Sequence, residues 1–345
     1  MRPLLHPRLV NGRTGDPALY VETLFERRAV LFDLGDISAL APRKVQRLEH
    51  IFVSHAHVDH FIGFDYLLRL LVGREKTISL HGPPGFIDHV HHKFQAYCWN
   101  LAHSYLCDLV FLVTEIDPSL ASTTARFRLR NAFSRETVGG GRVLDGVLHC
   151  EPAFRVTAAI LEHKTPCLGF AIEERMHVNV WKNRLAQLGL PVGPWLRDLK
   201  WAVTAEMPDD YPILIGSRAT GSAMASEART MPLRMLRDAV TVTPGQKIAY
   251  VTDVADTAAN RSAILRLAQK ADLLFIEAAF AEADAELAQQ RAHLTTASAG
   301  RIARAAGVRR VEPFHFSPRY AGQEARLLGE VMAAFGAEVR PTAAG

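Results

Sequence analysis

The stretch Ser54-His55-Ala56-His57-Val58-Asp59-His60 decides how the rest of this chain is interpreted, because it brings three imidazoles and one carboxylate together within six residues. The apolar run Ile51-Phe52-Val53 lies just before it and predicts a buried strand. Large apolar residues recur at helical spacing just after it, over residues 61–71. The motif therefore lies where a strand turns into a helix.

The spacing of these side chains suits two metal ions. His55 and His57 lie two residues apart on extended backbone, so they project to one side and can share a metal. Asp59 and His60 lie at the predicted start of the helix and can face a second ion. Imidazole nitrogens mixed with a carboxylate oxygen are a donor set that suits Zn²⁺. A solvated histidine-rich loop is the alternative interpretation of the same residues.

The composition narrows the class of protein. The 345 residues are 48% hydrophobic, which is enough for one large α/β domain with a sizeable core. The 40 basic and 36 acidic residues nearly balance, so contact with nucleic acid must come from local patches. The four cysteines form no C-x-x-C pair, which argues against a thiolate zinc site. No apolar run approaches the ~20 residues of a membrane span and no signal peptide is apparent, so we expect a soluble cytoplasmic protein with no membrane partner.

Four later strand-like runs lead into residues that can do metal or proton chemistry, namely His163, Asp253, Glu277 and His315. Open α/β sheets carry ligands at the carboxyl ends of their strands, so these side chains could converge on the edge that carries the histidine motif. For each residue taken singly, a capping or supporting role is the alternative. Two zinc ions need about seven or eight protein contacts, and the motif supplies only four. His163, Asp253 and His315 would complete the set, with Asp253 suited to bridge because a carboxylate has two oxygens.

Together these segments resemble the metallo-β-lactamase-fold hydrolases and, among them, the ribonuclease Z family, which trims the 3′ trailer of tRNA precursors. The resemblance covers residues 31–320. It is carried by these segments: Leu31-Phe32-Asp33-Leu34-Gly35-Asp36, Ser54 to His60, His81-Gly82-Pro83-Pro84-Gly85, His163-Lys164-Thr165-Pro166-Cys167-Leu168-Gly169-Phe170, Val251-Thr252-Asp253, Glu277-Ala278-Ala279-Phe280, His293-Leu294-Thr295-Thr296 and His315-Phe316-Ser317-Pro318-Arg319-Tyr320. The family's usual N-terminal Phe-Leu-Gly-Thr-Gly segment is absent, and Val10 to Gly15 stand in its place.

The resemblance implies an α/β fold, a metallo-β-lactamase-type αββα sandwich, as a single domain over residues 1–345. It also implies two zinc ions per chain, held by two sets of side chains that share Asp253: His55, His57 and His163 on one ion, and Asp59, His60 and His315 on the other.

The expected chemistry is attack on a phosphodiester by a hydroxide held between the two metals, because zinc lowers the pKa of bound water to about 7. Asp59 would orient the nucleophile or take its proton. His293, oriented by Glu277, is the candidate that protonates the leaving 3′-oxygen, with a role beside the next helix cap as the alternative. Asp33 and Asp36 are candidate partners for ligand histidines, or plain turn residues.

Residues 173–211 look like an inserted helical arm. Short helices are predicted from Val180 to Leu188 and from Pro194 onward. By resemblance, this insertion corresponds to the arm with which the family clasps tRNA. The predicted substrate-binding residues are Lys182, Arg184, Trp195, Arg197 and Lys200 in the arm, with Ser317 beside the last ligand. Mixed aromatic and cationic residues are also common at dimer interfaces, and a homodimer is expected as well.

The leading prediction is a zinc-dependent phosphodiester hydrolase of the ribonuclease Z type that cleaves the 3′ trailer from tRNA precursors. The alternative keeps the metals but hydrolyses another phosphodiester, an ester or a sulfate, since this fold hosts several hydrolases. A binding or regulatory protein on an inactive scaffold is the third hypothesis, and the complete ligand set argues against it.

Overall fold

A computed structural model of the chain describes residues 4–24, 27–216 and 229–336. These residues belong to two compact units. The larger unit consists of the chain up to Glu173 and from Gln246 onward, and the smaller unit is Glu174–Gly245.

In the described residues the strands are β1 (Leu5–Leu9), β2 (Leu19–Thr23), β3 (Ala29–Phe32), β4 (Leu48–Phe52), β5 (Lys76–Gly82), β6 (Leu109–Ile116), β7 (Ala121–Arg128), β8 (Glu136–Arg142), β9 (Val147–Cys150), β10 (Phe154–Glu162), β11 (Pro166–Glu174), β12 (His177–Val180), β13 (Pro212–Ile215), β14 (Arg229–Pro232), β15 (Val240–Thr243), β16 (Lys247–Val251), β17 (Leu273–Glu277) and β18 (Val311–Phe314). The α-helices of the same residues are α1 (Pro42–Val45), α2 (Val58–Phe61), α3 (Phe64–Leu71), α4 (Phe86–Gln95), α5 (Lys182–Gln187), α6 (Trp195–Thr204), α7 (Ala258–Ala268), α8 (Ala285–Arg291), α9 (Thr296–Ala305) and α10 (Glu324–Phe335).

The larger unit is built on two sheets. The first has eight strands in the order β1 to β8, and β3, β4, β5 and β6 pair in parallel. The second has six strands in the order β18-β17-β16-β11-β10-β9, of which β16, β17 and β18 pair in parallel. The carboxyl ends of β16, β17 and β18 therefore lie at one edge of the second sheet.

Apolar side chains fill three layers of this unit. Between the sheets, Phe32 and Phe52 of the first pack with Phe170 and Tyr250 of the second. Buried residues of α3 and α4 cover the other face of the first sheet, and those of α7, α9 and α10 cover the other face of the second. The predicted αββα sandwich is confirmed.

The turn after the histidine motif packs closely on the loop after β3. Helix α3 buries Phe64, Leu67, Leu68 and Leu71, the spacing of one helical face. A Cβ added at Gly63, just before this helix, would overlap the carbonyl oxygen of Gly35. Glycine therefore allows the two loops to meet backbone to backbone, and this contact places the start of α3 against the loop after β3.

The smaller unit has its own apolar core. Helices α5 and α6 occur where two short helices are predicted, and they contribute Leu185, Trp195 and Leu199 to that core. The predicted arm ends at Tyr211, whereas the unit continues to Gly245. The physical reason is that β12 pairs antiparallel with β15, and β13 with β14, so the later strands close the unit.

In the part of the chain that the structure describes, every helix is too short or too polar to cross a bilayer.

Replacing Phe32 with alanine is expected to lower the free energy of unfolding by about 3–5 kcal/mol, because it empties a well-packed position between the sheets. The Phe32 residue is 1% exposed, and its ring centroid lies 5.5 Å from that of Phe52. Urea unfolding followed by circular dichroism in a chelating buffer measures the change. Leu144→Ala is the control, since Leu144 is 72% exposed and its loss should change stability by less than about 0.5 kcal/mol. A loss below ~1 kcal/mol for Phe32→Ala would contradict this account of the core.

A candidate metal centre at the strand ends

The histidine motif occupies the loop after β4 and the first turns of α2. His57 has extended backbone, with φ −66° and ψ 157°, and helix α2 starts at the next residue. The His55 and His60 side chains are buried, whereas that of Asp59 is 44% exposed. The predicted strand-to-helix turn therefore presents two buried imidazoles and the exposed imidazole of His57 beside a carboxylate that solvent can reach.

The later strand ends meet this motif. His163 follows β10, Asp253 follows β16 and His315 follows β18. The ligand atoms of His55, His57, His163 and Asp253 all lie within 4.8 Å of one another. Those of Asp59, His60 and His315 form a second group by the same measure. The structure thus brings together all seven side chains that the sequence predicts as ligands.

Asp253 lies between the two groups. Its Oδ2 atom is 3.5 Å from His55 Nε2 and 3.6 Å from His163 Nε2 in the first group, and 3.3 Å from His60 Nε2 in the second. Its Oδ1 atom is 3.0 Å from His315 Nδ1. Oδ2 therefore lies near nitrogens of both groups and Oδ1 faces the second group, a placement that suits a bridging ligand.

Two of these nitrogens are arranged like metal ligands and not like hydrogen-bond donors. His60 Nε2 and His315 Nδ1 are buried, and neither has a hydrogen-bond partner among the described residues. The oxygens of Asp253 lie 3.3 and 3.0 Å away, yet the angles are not those of a hydrogen bond. Buried polar atoms without a partner are costly, so their convergence on one space fits a bound cation.

The protonation states of His55, His57 and Asp253 also fit a bound metal ion. Burial, followed by repulsion from His60, lowers the pKa of His55 to about 2, and burial lowers the pKa of His57, so both imidazoles are neutral and keep a free lone pair. Burial alone would raise the pKa of Asp253, but His315 and His60 outweigh it and hold that pKa well below its usual value. Neutral imidazoles around an ionised carboxylate are a donor set for zinc.

His60 is held in place from behind by Asp33. Burial opposes charge on His60, but Asp253 and Asp33 outweigh burial and raise its pKa to about 10. Asp33 Oδ2 lies 2.9 Å from His60 Nδ1 and also accepts a 2.9 Å hydrogen bond from the Tyr250 hydroxyl. Its Oδ1 accepts a 2.6 Å hydrogen bond from the backbone N–H of Ser54. This network engages one ring nitrogen and leaves the other for a metal.

Asp36 was predicted either to contact a ligand histidine or to stabilise a turn, and its hydrogen bonds are those of a turn residue. Its carboxylate accepts hydrogen bonds from the backbone N–H and the hydroxyl of Ser38, at 2.8 and 3.0 Å. It therefore stabilises an exposed turn.

Glu277 and His293 form a pair beside the metal groups. Glu277 Oε2 lies 2.9 Å from His293 Nδ1, and its Oε1 accepts a 2.6 Å hydrogen bond from the N–H of Val254. Burial lowers the pKa of His293, but the Glu277 charge outweighs it, so the pKa is raised. One buried carboxylate thus orients an imidazole and fixes the loop that carries Asp253.

A cavity of about 340 Å³ opens beside His293. Its lining combines potential ligands, the His293 imidazole and neighbouring loop residues, including Asp59, His293, His315, Thr14, Phe280 and Ser317. Because the Nδ1 atom of His293 is engaged by Glu277, its Nε2 atom is the nitrogen left for a molecule in the cavity. The predicted substrate contact Ser317 lies on the wall of the same cavity.

Asn260 supports the site, although no sequence pattern pointed to it. It lies on α7, is 4% exposed, and its Nδ2 donates to the carbonyl oxygens of Glu162 at 2.9 Å and Ala255 at 2.8 Å. Its Oδ1 accepts a 3.1 Å hydrogen bond from the Glu162 N–H. The side chain therefore ties the residue before His163 to the loop that follows Asp253.

A third histidine group lies between β4 and β9, where His50 and His149 stack with ring centroids 3.9 Å apart beside Glu151. Both oxygens of Glu151 accept hydrogen bonds from Arg28, at 2.8 Å each. Because the arginine already neutralises this carboxylate, we interpret the group as an ion-pair network at the sheet edge.

In the smaller unit, the predicted contact residues separate into two kinds. Trp195 is 3% exposed and its indole donates a 2.9 Å hydrogen bond to the carbonyl of Pro191, so it is a core residue. Lys182, Arg197 and Lys200 are exposed around a groove of about 530 Å³. Arg184 is exposed as well, and it donates a 3.2 Å hydrogen bond to Gln187.

Known proteins share this architecture. A family described as the β-lactamase superfamily domain matches residues 214–316. Ribonuclease Z from Synechocystis is 31% identical and covers 85% of this chain and 74% of its own length. The crystal structure of the short form of human tRNase Z has a TM-score of 0.52 and 19% identity and covers 92% of both chains, which shows the shared fold.

Ribonuclease Z from Deinococcus radiodurans is 32% identical over 322 residues, which cover 92% of this chain and 91% of that protein. With this identity over nearly the full length of both proteins, the chain belongs to the ribonuclease Z family and is a metal-dependent hydrolase.

Proposed function

We propose that this protein is a zinc-dependent endoribonuclease that removes the 3′ trailer from tRNA precursors. The observation that carries the proposal is the meeting of seven potential ligands, Asp253 among them, beside a cavity lined by His293, whose ring Glu277 orients. The names of its relatives, ribonuclease Z and tRNase Z, support RNA as the substrate class.

Two zinc ions are the proposed cofactors. His55, His57 and His163 would hold one, and Asp59, His60 and His315 the other, with Asp253 shared between them. Zinc in such a site lowers the pKa of water to about 7 and offsets charge on the phosphoryl oxygens. The nitrogen and carboxylate donors of this chain match that ion, and described cysteines play no part in either group.

Residues of the chain itself would carry out the proton transfers. Asp59 is the most exposed carboxylate of the two groups, and it lines the cavity, so it can orient an attacking water and accept its proton. His293 lines the same cavity, and its Nε2, the nitrogen that Glu277 does not engage, can protonate the leaving 3′-oxygen. Glu277 fixes the ring of His293 and favours its charged form.

The smaller unit supplies a surface suited to RNA. Lys182, Arg197 and Lys200 surround a groove with apolar walls, a pattern that fits phosphate contacts beside packed riboses or bases. Trp181 and Trp201 are 53% and 55% exposed and can stack on bases or contact a second copy of the chain. We propose that this unit is the inserted arm, and that the active protein is a homodimer.

The first expectation concerns metal content. Protein purified with zinc should retain about two ions per chain, and Asp253→Asn should retain less than about one, because the variant removes the charge that both groups share. Elemental analysis after gel filtration measures the ratio. Asp238→Asn, at an exposed position of the smaller unit, is the matched control and should retain the full amount. Wild-type protein without zinc, or Asp253→Asn with two ions, would contradict the assignment.

The test of the reaction itself is cleavage of a tRNA precursor that carries a 3′ trailer, compared with a small chromogenic phosphodiester. We expect both to be cut by wild-type protein and neither by Asp59→Ala. Cleavage of the small diester alone would reject tRNA as the substrate and favour another phosphodiester hydrolase of this fold.

The groove of the smaller unit can be tested with the same two substrates. Arg197→Ala combined with Lys200→Ala should raise KM for the precursor about tenfold or more and weaken its salt dependence, because lost phosphate contacts release fewer counterions. The small diester carries no further phosphates that the groove could bind, so it should be cut at the wild-type rate. Arg234→Ala removes an exposed arginine of the same unit outside the groove and should change neither substrate. An unchanged KM for the double variant would remove the groove from the RNA surface.

His293 can be tested through the leaving group. His293→Ala should lower kcat for the precursor by about 10²–10⁴, because the 3′-oxygen leaves poorly without a proton. Bis(4-nitrophenyl) phosphate should lose much less, since nitrophenolate is stable without protonation. His92→Ala, at an exposed position on α4, is the control. Equal losses on both substrates would show that His293 does not act as the general acid.

A further inference from the structure

The loop that replaces the family's usual N-terminal motif has a defined place beside the site. Its residues Thr14, Gly15 and Asp16 line the cavity that Asp59, His293 and His315 also line. The loop is fixed from within by Asn11, whose Nδ2 lies 2.8 Å from the carbonyl oxygen of Asp16 and 2.7 Å from that of Asp36.

Arg13 joins this loop to the elements on both sides of His315. Its Nη2 atom lies 2.6 Å from Glu312 Oε2 on β18, and its Nη1 atom lies 3.4 Å from Glu324 Oε1 at the start of α10. The Arg13 and Glu312 side chains are 27% and 17% exposed, so this pair is less screened by solvent than a surface ion pair. These contacts span about 300 residues of sequence and connect the first loop to the last strand.

The backbone of Arg13 holds the turn that carries His315. Its carbonyl oxygen accepts a 2.9 Å hydrogen bond from the N–H of Phe316, the next residue after His315. His315 itself has φ +58°, a left-handed conformation that is unfavourable for a residue with a side chain. Such a conformation persists only where neighbouring contacts fix it. The Arg13 loop supplies one of those contacts, and the hydrogen bond from Ser317 N–H to Ala279 O, at 3.0 Å, supplies another.

We propose that Arg13 is a positioning residue for His315. Its guanidinium anchors the loop to Glu312 and Glu324, and the anchored carbonyl keeps the turn at His315 in the conformation that aims the imidazole at Asp59 and Asp253. Loss of the guanidinium would loosen one metal group and leave the other intact, because the hydrogen bonds and ion pairs of His55, His57 and His163 in the described residues join them to residues outside this loop. The inference rests on the proposed function, in which His315 is a zinc ligand.

The experiment follows the release of zinc from loaded full-length protein into a chromogenic chelator. Wild-type protein should release both ions slowly. Arg13→Ala should release one of its two ions about tenfold faster and the other at the wild-type rate, since removing a group that supports a metal ligand weakens binding by about 10–100-fold. Arg13→Lys keeps the positive charge, but its single ammonium group cannot bind both carboxylates at once as the guanidinium does. Its fast ion should therefore leave at an intermediate rate.

Arg310→Ala is the matched control. Arg310 donates to the other oxygen of Glu312, with its Nε atom 2.8 Å away, but its side chain is 67% exposed and its hydrogen bonds are to Glu312. It should release both ions at the wild-type rate. The same slow release from Arg13→Ala, even with a lowered melting temperature, would overturn the inference while leaving the proposed function in place. Wild-type protein that holds no zinc would overturn both.

Discussion

The carboxylate of Asp253 is the group on which the rest of the site depends. It is 3% exposed, and its oxygens lie 3.0–3.6 Å from nitrogens of four histidines that follow three different strands. A buried negative charge is unfavourable unless a cation or strong hydrogen bonds compensate it. Without metal, raised pKa values let His60 and His315 carry that positive charge. Bound metal ions would supply the same positive charge. The arrangement of histidines around Asp253 therefore needs positive charge in either state.

Backbone strain at the strand ends is a second constraint. Four loops that carry or support the site each contain a non-glycine residue with left-handed φ, between +43° and +58°: Asp33, Lys164, Asp253 and His315. Each such residue costs roughly 1–2 kcal/mol and needs contacts that hold it. Those contacts are present in each loop. They run from Ser54 N–H to Asp33 Oδ1, from Lys164 N–H to Glu162 Oε1, from Cys167 Sγ to Asp253 O and from Phe316 N–H to Arg13 O.

Sequence patterns pointed to the side chains that the structure brings together around Asp253, but not to the residues that support them. His55 to His60 form a local motif. The other candidate ligands follow apolar runs that predict strands, and open α/β sheets carry ligands at the carboxyl ends of their strands. Asn260 and Arg13 leave no such signal, because a polar residue on a helix or in a loop is ordinary until its partner is known. Their partners lie 98 and 299 residues away in sequence. Trp195 shows the reverse, since an aromatic residue among cations suggests RNA contact, but its ring is needed to fill the small core of its own unit.

Both sheets of the larger unit contribute candidate ligands to the site. The first sheet provides the motif after β4, and the second provides His163, Asp253 and His315 after β10, β16 and β18. The apolar layer between the sheets aligns these strand ends, but it cannot set the conformation of loops that project beyond it. Buried polar side chains do part of that: Tyr250 acts through Asp33, and Glu277 and Asn260 fix the loop after Asp253. At the turn of His315 the contact comes from the backbone carbonyl of Arg13. Because ions at Asp253 would draw ligands from both sheets, metal binding and sheet packing would stabilise the same arrangement.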